Sequence, residues 1–514
     1  MSKRNRYLVV AGALAALLVG GACQIRRAAA VGTAAPTPVS RPVHIRPDYA
    51  DTVIPPNIAP LNFLVEEPGT RFRVTISSRQ GPAIALHRRS PRIVIPLARW
   101  HRLLRANRGQ ELRFEVSARG RDGRWTRFEP IVNRIAPEPV DRYLVYRSVR
   151  PLYNYFRDIG VRQRDLASYR DSVVLHGGSF GDGCLNCHSF CANRPDVMSL
   201  ALRGGGGGAS TLVVRHGAVT KVDAKFGYTA WHPSGRVAAY SINKVRQFFH
   251  SAAIETRDVV DLESALAIYS ADPPSATTTP ELSDPNRLQT YPAWSPDGQY
   301  LYFCSAPILW TRRDRVPPEH YEQVRYDLVR VRYDVQTGRW GKLETVLSAA
   351  QTGRSILLPR ISPDGRFLVF CMCQYGCFPI YQPSSDLYLM DLRTRRYQRL
   401  PINSDRSESW HSWSANSRWL AFSSKRHDGV FTRTYFSYID AAGQAHKPFL
   451  LPQRDPTFYD SFLKTYSVPE LVTEPVRVTG ERLARAARAP AQGKVKDPVS
   501  FSQPKPTDAW RSSR

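Results

Sequence analysis

From Asp51 to about Arg134, apolar and polar residues alternate in short runs such as Arg71-Phe-Arg-Val-Thr-Ile76, Arg92-Ile-Val-Ile-Pro96 and Glu111-Leu-Arg-Phe-Glu-Val116. Alternation of period two puts successive side chains on opposite faces of a strand. Turn signals separate the runs, among them Gly120-Arg-Asp-Gly123 ahead of Trp125. Short alternating strands punctuated in this way predict a β-sandwich over 51–140. The alternation lapses over 141–175, where aromatic groups such as Tyr153-Asn-Tyr-Phe156 predominate. With the Gly-rich stretch 176–183 that follows, this predicts a helical or irregular connector over 141–200.

The second half repeats itself. Four segments run from an aromatic or apolar residue through a tight turn into an alternating strand. They are Trp231-His-Pro-Ser-Gly, Trp294-Ser-Pro-Asp-Gly, Ile361-Ser-Pro-Asp-Gly and Trp413-Ser-Ala-Asn-Ser. Proline presets the first turn position and glycine supplies the positive φ, so each segment reads as a hairpin. Further strand pairs follow, for example Asp386-Leu-Tyr-Leu-Met-Asp391 with Arg396-Tyr-Gln-Arg-Leu400. Four strands per repeat define a β-propeller blade. The repeats stand 63, 67 and 52 residues apart, against about 40–45 for a minimal blade, so loops are inserted between them. The expectation is a mainly all-β chain with a propeller of five or more blades over 201–473. Residues 24–50 read as a linker and 474–514, rich in Arg, Ala, Pro and Lys, as a disordered basic tail.

Charge changes this picture little. The chain carries 72 Lys and Arg against 44 Asp and Glu, a formal +28. The arginines are spread along the whole length, and neither a basic stripe interleaved with aromatics nor a nucleic-acid-binding signature is present. No nucleic-acid partner is expected; an acidic lipid surface or an acidic redox partner remains open. The N-terminus decides the compartment. Lys3, Arg4 and Arg6 precede an apolar run from Leu8 to Val19 that is short for a membrane span, the pattern of an export signal over 1–23. It ends in Gly20-Gly21-Ala22-Cys23, similar to a bacterial lipoprotein box but without the usual Leu three residues before the Cys. Membrane attachment through a lipidated Cys23, simple cleavage near Ala28-Ala29-Ala30 and an uncleaved anchor all stay open. The expected location is the periplasm, or a membrane-anchored lipoprotein facing outside the cytoplasm.

The sharpest chemical signal is Cys184-Leu-Asn-Cys187-His188, the C-x-x-C-H spacing of covalent c-type haem attachment. Two thiols three residues apart can add to the two vinyl groups of one haem, and the adjacent His188 then offers an axial nitrogen. A disulfide, or a zinc site completed by Cys191, is the bland alternative. Met198 and His250 are the candidate sixth ligands, with His176 and His232 weaker ones; core packing is the competing role for Met198, and an open iron site the competing arrangement. Cys371-Met-Cys373-Gln-Tyr-Gly-Cys377 reads as disulfide-forming, within itself or with Cys304 or Cys191. No serine-hydrolase elbow, zinc-protease helix or P-loop is present.

The strand pattern over 51–140 resembles a fibronectin type III domain, and the four repeats, over about 200–450, resemble the TolB-like propeller repeat. The whole arrangement over about 52–475 resembles a group of exported bacterial TolB-like propeller proteins. The matching residues are Ile54-Pro-Pro-Asn-Ile-Ala-Pro-Leu-Asn-Phe63, Cys184-Leu-Asn-Cys-His-Ser-Phe190 and the repeats. The resemblance implies a propeller bearing one covalent haem c, and it sharpens the architecture more than the role. Three roles stay open: electron transfer within or beside a redox complex, which the sequence favours; an envelope scaffold or binding propeller with a structural or sensory haem; and a peroxidase-like haem enzyme. A redox or envelope protein partner is expected in the first two.

Overall fold

The structure is a computed structural model that describes residues 36–150, 156–204, 208–493, 495–499 and 501. The export signal and Cys23 lie outside the described residues.

Among the described residues, six separate four-stranded antiparallel sheets are built from strands between Tyr143 and Val472. Their innermost strands are Thr465–Val472, Cys184–Cys191, Gly227–Trp231, Arg287–Trp294, Ser355–Ile361 and Glu408–Trp413, and each lies against the next around a closed ring. This is a six-bladed propeller. Blade 1 joins both ends of the propeller: Tyr143–Val149, Gly160–Asp165 and Asp171–His176 come from before the repeats, and the C-terminal strand Thr465–Val472 pairs with Tyr143–Val149 as its inner strand. Blades 2 to 6 follow in chain order.

The repeats form the hairpins between first and second strands of blades 3 to 6. In blade 4 the Ser295 hydroxyl donates to Asp297 and accepts from the Tyr300 amide, while Gly298 takes a φ of 71°. Blade 6 places Ser417 at the corresponding site with a φ of 61°. The repeat tryptophans fasten neighbouring blades: Trp294 Nε1 donates to the Ala230 carbonyl (3.2 Å) and Trp413 Nε1 to the Arg360 carbonyl (3.1 Å).

Three sequence expectations are corrected. The segment 141–200 is no helical or irregular connector. It supplies three strands of blade 1 and the first strands of blade 2. Its aromatic residues hid the alternation because Tyr143–Val149 lies between two strands and is buried along almost its whole length. Part of the expected linker forms the strand Thr37–Pro42, which pairs in parallel with Trp125–Glu129. The tail is ordered over most of 474–501: Gly480–Arg488 is a helix that buries Leu483, Ala484 and Ala487 against blades 1 and 2, and Asp497 accepts from Tyr240 of blade 3 (2.8 Å).

Ahead of the propeller, residues 37–135 form a seven-stranded and a three-stranded sheet and the helix Leu97–Ala106, which buries Trp100, Leu103 and Leu104. This unit packs on blades 1 and 6 through a continuous apolar core. The stretch Ile54 to Phe63 is that seam. Its residues are buried save Asn57, the Ala59 amide donates to the Leu166 carbonyl (2.7 Å), and Asn62 donates to the carbonyls of Gln453 and Arg454.

Candidate functional site in the propeller channel

Each inner strand slips in register midway, leaving two residues unpaired against the second strand. Such a bulge re-aims the backbone. In five blades its first residue adopts a positive φ: Tyr228, Tyr291, Leu358, Trp410 and Val468. All five line a chamber of about 30 Å3 in the middle of the channel. Tyr228, Tyr291 and Trp410 nearly fill it, with ring centroids 4.4 to 6.1 Å apart.

The residues just after the bulges form a second ring: His188, Ala230, Ala293, Arg360, Ser412 and Glu470. Five of them, His188 excepted, line a wider chamber of about 380 Å3 near the turn-bearing ends of the blades, together with Ser189 and Asn193. Arg360 and Glu470 are paired there at 2.9 Å. Burial pushes the Glu470 carboxyl above its ordinary value, and the Arg360 cation opposes that shift.

The C-x-x-C-H residues sit on the inner strand Cys184–Cys191 of blade 2. Cys187 and His188 line the inner chamber, whereas Cys184 is buried in the core between blades 1 and 2 with Arg203 Nη2 3.5 Å from its sulfur. His188 is 3 % exposed, and both ring nitrogens are buried without a hydrogen-bond partner. The carbonyls of Val145 and Val468 lie near enough to favour its protonation, yet neither meets hydrogen-bond geometry. Burial, reinforced by the Arg147 cation, pushes its pKa down to about 3, so the imidazole is neutral.

A covalent haem needs two free thiols and an unprotonated imidazole. Cys184 and Cys187 are both free and His188 is neutral, so the residue types fit the group, although Cys184 lies in the core between blades 1 and 2 and only Cys187 and His188 share the chamber. The room does not. A ligand of that size takes roughly 300–1,000 Å3, and the chamber lined by Cys187 and His188 has about 30 Å3.

None of the other histidines or the methionine named from sequence lines this chamber. Met198 is fully buried among Leu200, Leu202, Leu212 and Val214 in the core of blades 1 and 2, which favours its packing role. His250 stands at the end of a long hairpin and meets Asp258 (3.3 Å). His176 accepts from the Gly178 amide at the outer strand of blade 1, and His232 packs on Trp294 inside a turn. The disulfide expectation is also corrected: the seven described cysteines are all free. Cys371, Cys373, Cys377 and Cys191 each approach a different backbone carbonyl, those of Glu408, Tyr375, Val259 and His232. Among the described residues no group of three or more His, Cys, Asp or Glu is placed to hold a metal.

Two features escaped the sequence reading. His411, next to Trp410, is fully buried, with Nε2 3.1 Å from the Val369 carbonyl and Nδ1 3.8 Å from Cys371 Sγ. The second and third strands of blade 3, Val237–Phe249 and Arg257–Ala271, extend past the blade as a hairpin that reaches across to blade 6. Along it, Trp310 donates to the Leu262 carbonyl, Tyr375 donates to Asp258, Arg257 stacks over Tyr381, and Glu255 at the tip pairs with Lys425. Its only sequence signal was the excess length of the repeat.

Fold and site define a β-propeller protein whose channel holds a wider polar chamber and a small aromatic-lined one. No protein-family model matches the chain, and no curated protein matches it. Solved structures with a similar fold include TolB from Acinetobacter baumannii, 12% identical over 71% of this chain and 79% of that one, with a TM-score of 0.40. A putative 6-phosphogluconolactonase from Bacteroides uniformis is 10% identical over 74% of this chain and 97% of that one (TM-score 0.34). A chain of a nidogen/laminin complex is 8% identical over 65% and 99% (TM-score 0.35). These scores are low, and the propeller assignment rests on the strand pairing of this chain itself.

Proposed function

We propose that this chain is an exported TolB-like propeller protein that carries one haem c on Cys184 and Cys187, with His188 as axial ligand, and serves electron transfer with an extracytoplasmic protein partner. The observation that carries this reading is His188. A buried polar group without a partner costs about 1–3 kcal/mol, and His188 leaves both ring nitrogens in that state in the chamber it shares with the free Cys187. When bound, the haem supplies one-electron exchange. The chain's own part is to keep the imidazole neutral by burial and by the Arg147 cation, and to shield it from water behind Tyr228, Tyr291 and Trp410. The small chamber places a demand on this reading: the inner strand of blade 2 and the aromatic plug have to move apart when haem is attached.

The same chamber favours a second reading, an envelope binding propeller with the Cys-His motif unliganded, its partner engaging the wider polar chamber around Arg360, Ser412 and Glu470. The seven- and three-stranded sheets ahead of the propeller support a fibronectin type III-like sandwich as an added binding module. Among the described residues no helix is long and apolar enough to cross a membrane; export rests on the N-terminal pattern, as does anchoring through Cys23. Intact mass measured on chain expressed in the periplasm with haem-maturation machinery tests the first reading. A mass gain of one haem that vanishes in Cys184→Ala/Cys187→Ala supports it; an unmodified mass overturns it in favour of the second.

A further inference from the structure

A cleft of about 720 Å3, larger than either channel chamber, lies between the helix Leu97–Ala106 and blade 1. Four guanidiniums line it: Arg105, Arg142, Arg170 and Arg454. One carboxylate faces them. Asp165 receives both Arg142 (3.3 Å) and Arg170 (2.9 Å). Arg105 and Arg454 make no ion pair among the described residues, so the cleft holds cationic charge that the fold does not neutralise. On the same wall, His101 Nε2 is buried without a partner. The rest of the lining mixes Asn57 and Ser168 with apolar surface from Ala167, from the Leu97 side chain, 39% exposed, and from the Tyr169 ring, which is fixed by its hydroxyl bond to the Pro60 carbonyl (2.8 Å) and has the Arg454 guanidinium 6.0 Å over it.

We propose that this cleft binds an organic phosphate, its oxyanion taken by Arg105 and Arg454 and its apolar body lying against Leu97 and Tyr169. Charge selects the head group. A phosphate monoester carries about −1.5 to −2 at neutral pH, which matches two unpaired guanidiniums, whereas a carboxylate carries one charge. Shape points the same way. A carboxylate is satisfied by one bidentate arginine fork, while the oxygens of a phosphate accept from two forks at once. The apolar walls and the volume exceed what a bare phosphate needs and suit an ester with an aromatic or aliphatic stem. Such a ligand has two sources, a soluble phosphate ester or the head group of a phosphatidate lipid, and both present the same chemistry to the cleft.

Calorimetric titration of the full chain with phenyl phosphate, and co-sedimentation with phosphatidylcholine vesicles with and without phosphatidate, test the proposal. Saturable binding of either probe is expected. Arg105→Gln and Arg454→Gln each weaken it by about tenfold or more, while Arg121→Gln, at an exposed turn remote in sequence from the cleft, binds as the parent does. Phenyl phosphate alone identifies a soluble ester, and vesicle binding that requires phosphatidate identifies a lipid. Circular dichroism melts matching the parent establish that the variants fold. The proposal is overturned if neither probe binds, if Arg121→Gln weakens binding as much as the cleft variants do, or if benzoate competes as well as phenyl phosphate.

Discussion

Arg360 of blade 5 pairs with Glu470 of blade 1 at 2.9 Å, so the ion pair skips blade 6 and crosses the channel. It closes the inner end of the wider chamber, because Arg360 lines both that chamber and the small one holding His188. The channel is therefore a polar vestibule, a charged crossbar and an aromatic plug in series, and the Cys-His motif lies behind the crossbar.

The hairpin of blade 3 carries a pH-dependent weakness. Asp261 is wholly buried on it, hydrogen-bonded by Asn243, and burial pushes its carboxyl up to about 7. Since the folded value exceeds the unfolded one, the folded chain holds the extra proton. Stability from this group is full below the ordinary carboxylate range and is lost as pH rises towards about 7, each pH unit crossed costing roughly 1.4 kcal/mol. Asp261→Asn should flatten the fall in Tm over that interval. Melts of both chains from acid to neutral pH that stay parallel would refute the assignment.

The tip of the same hairpin is anchored by Glu255 against Lys425, whose side chain is 5% exposed. Removing one partner of a buried pair strands the other. Glu255→Ala should cost about 3–5 kcal/mol in urea unfolding, and amide exchange over 245–260 should speed up. An unchanged unfolding midpoint would mean that the tip does not hold the hairpin down.

The C-terminal helix should act as a clasp over the closure of the ring. Leu483 is fully buried, and Lys221 Nζ donates to the Ala487 and Ala489 carbonyls at the helix end. Leu483→Ala should lose about 2–5 kcal/mol, measured by denaturant unfolding. A loss below about 0.5 kcal/mol, the size of a surface substitution, would show that the tail is not part of the folded unit.

Met198 separates packing from ligation. In the core of blades 1 and 2 its truncation to Ala should cost about 2–5 kcal/mol and leave the visible spectrum of haem-loaded protein unchanged. A shift in that spectrum with little change in stability would restore Met198 as a ligand.

The propeller was legible wherever a blade is made of consecutive strands with a Pro-Asp-Gly turn, as at Trp294 and Ile361. Blade 1 was not, and of blade 2 only the outer strands, around Ser199–Arg203 and Thr211–Val222, were. Blade 1 takes its inner strand from the far end of the chain, so no local repeat encodes it. In blade 2 Ser189 stands at the register position of Trp231 and Trp294, and the turn runs Ala192-Asn193 with positive φ in place of a glycine turn. The Cys-His motif was visible from its spacing, but its burial was not, since a C-x-x-C-H string carries no sign that it will be an inner strand. The channel ring was equally hidden: Ala230, Arg360 and Glu470 share a position only through bulges that pairing alone defines.

The central claim is most directly tested by a pyridine haemochrome spectrum of chain expressed in the periplasm with haem-maturation machinery, then unfolded and extracted. The account predicts a c-type spectrum retained on the unfolded chain and lost in Cys184→Ala/Cys187→Ala. A folded chain that carries no haem under these conditions would contradict it and leave a binding propeller with a buried, unliganded His188.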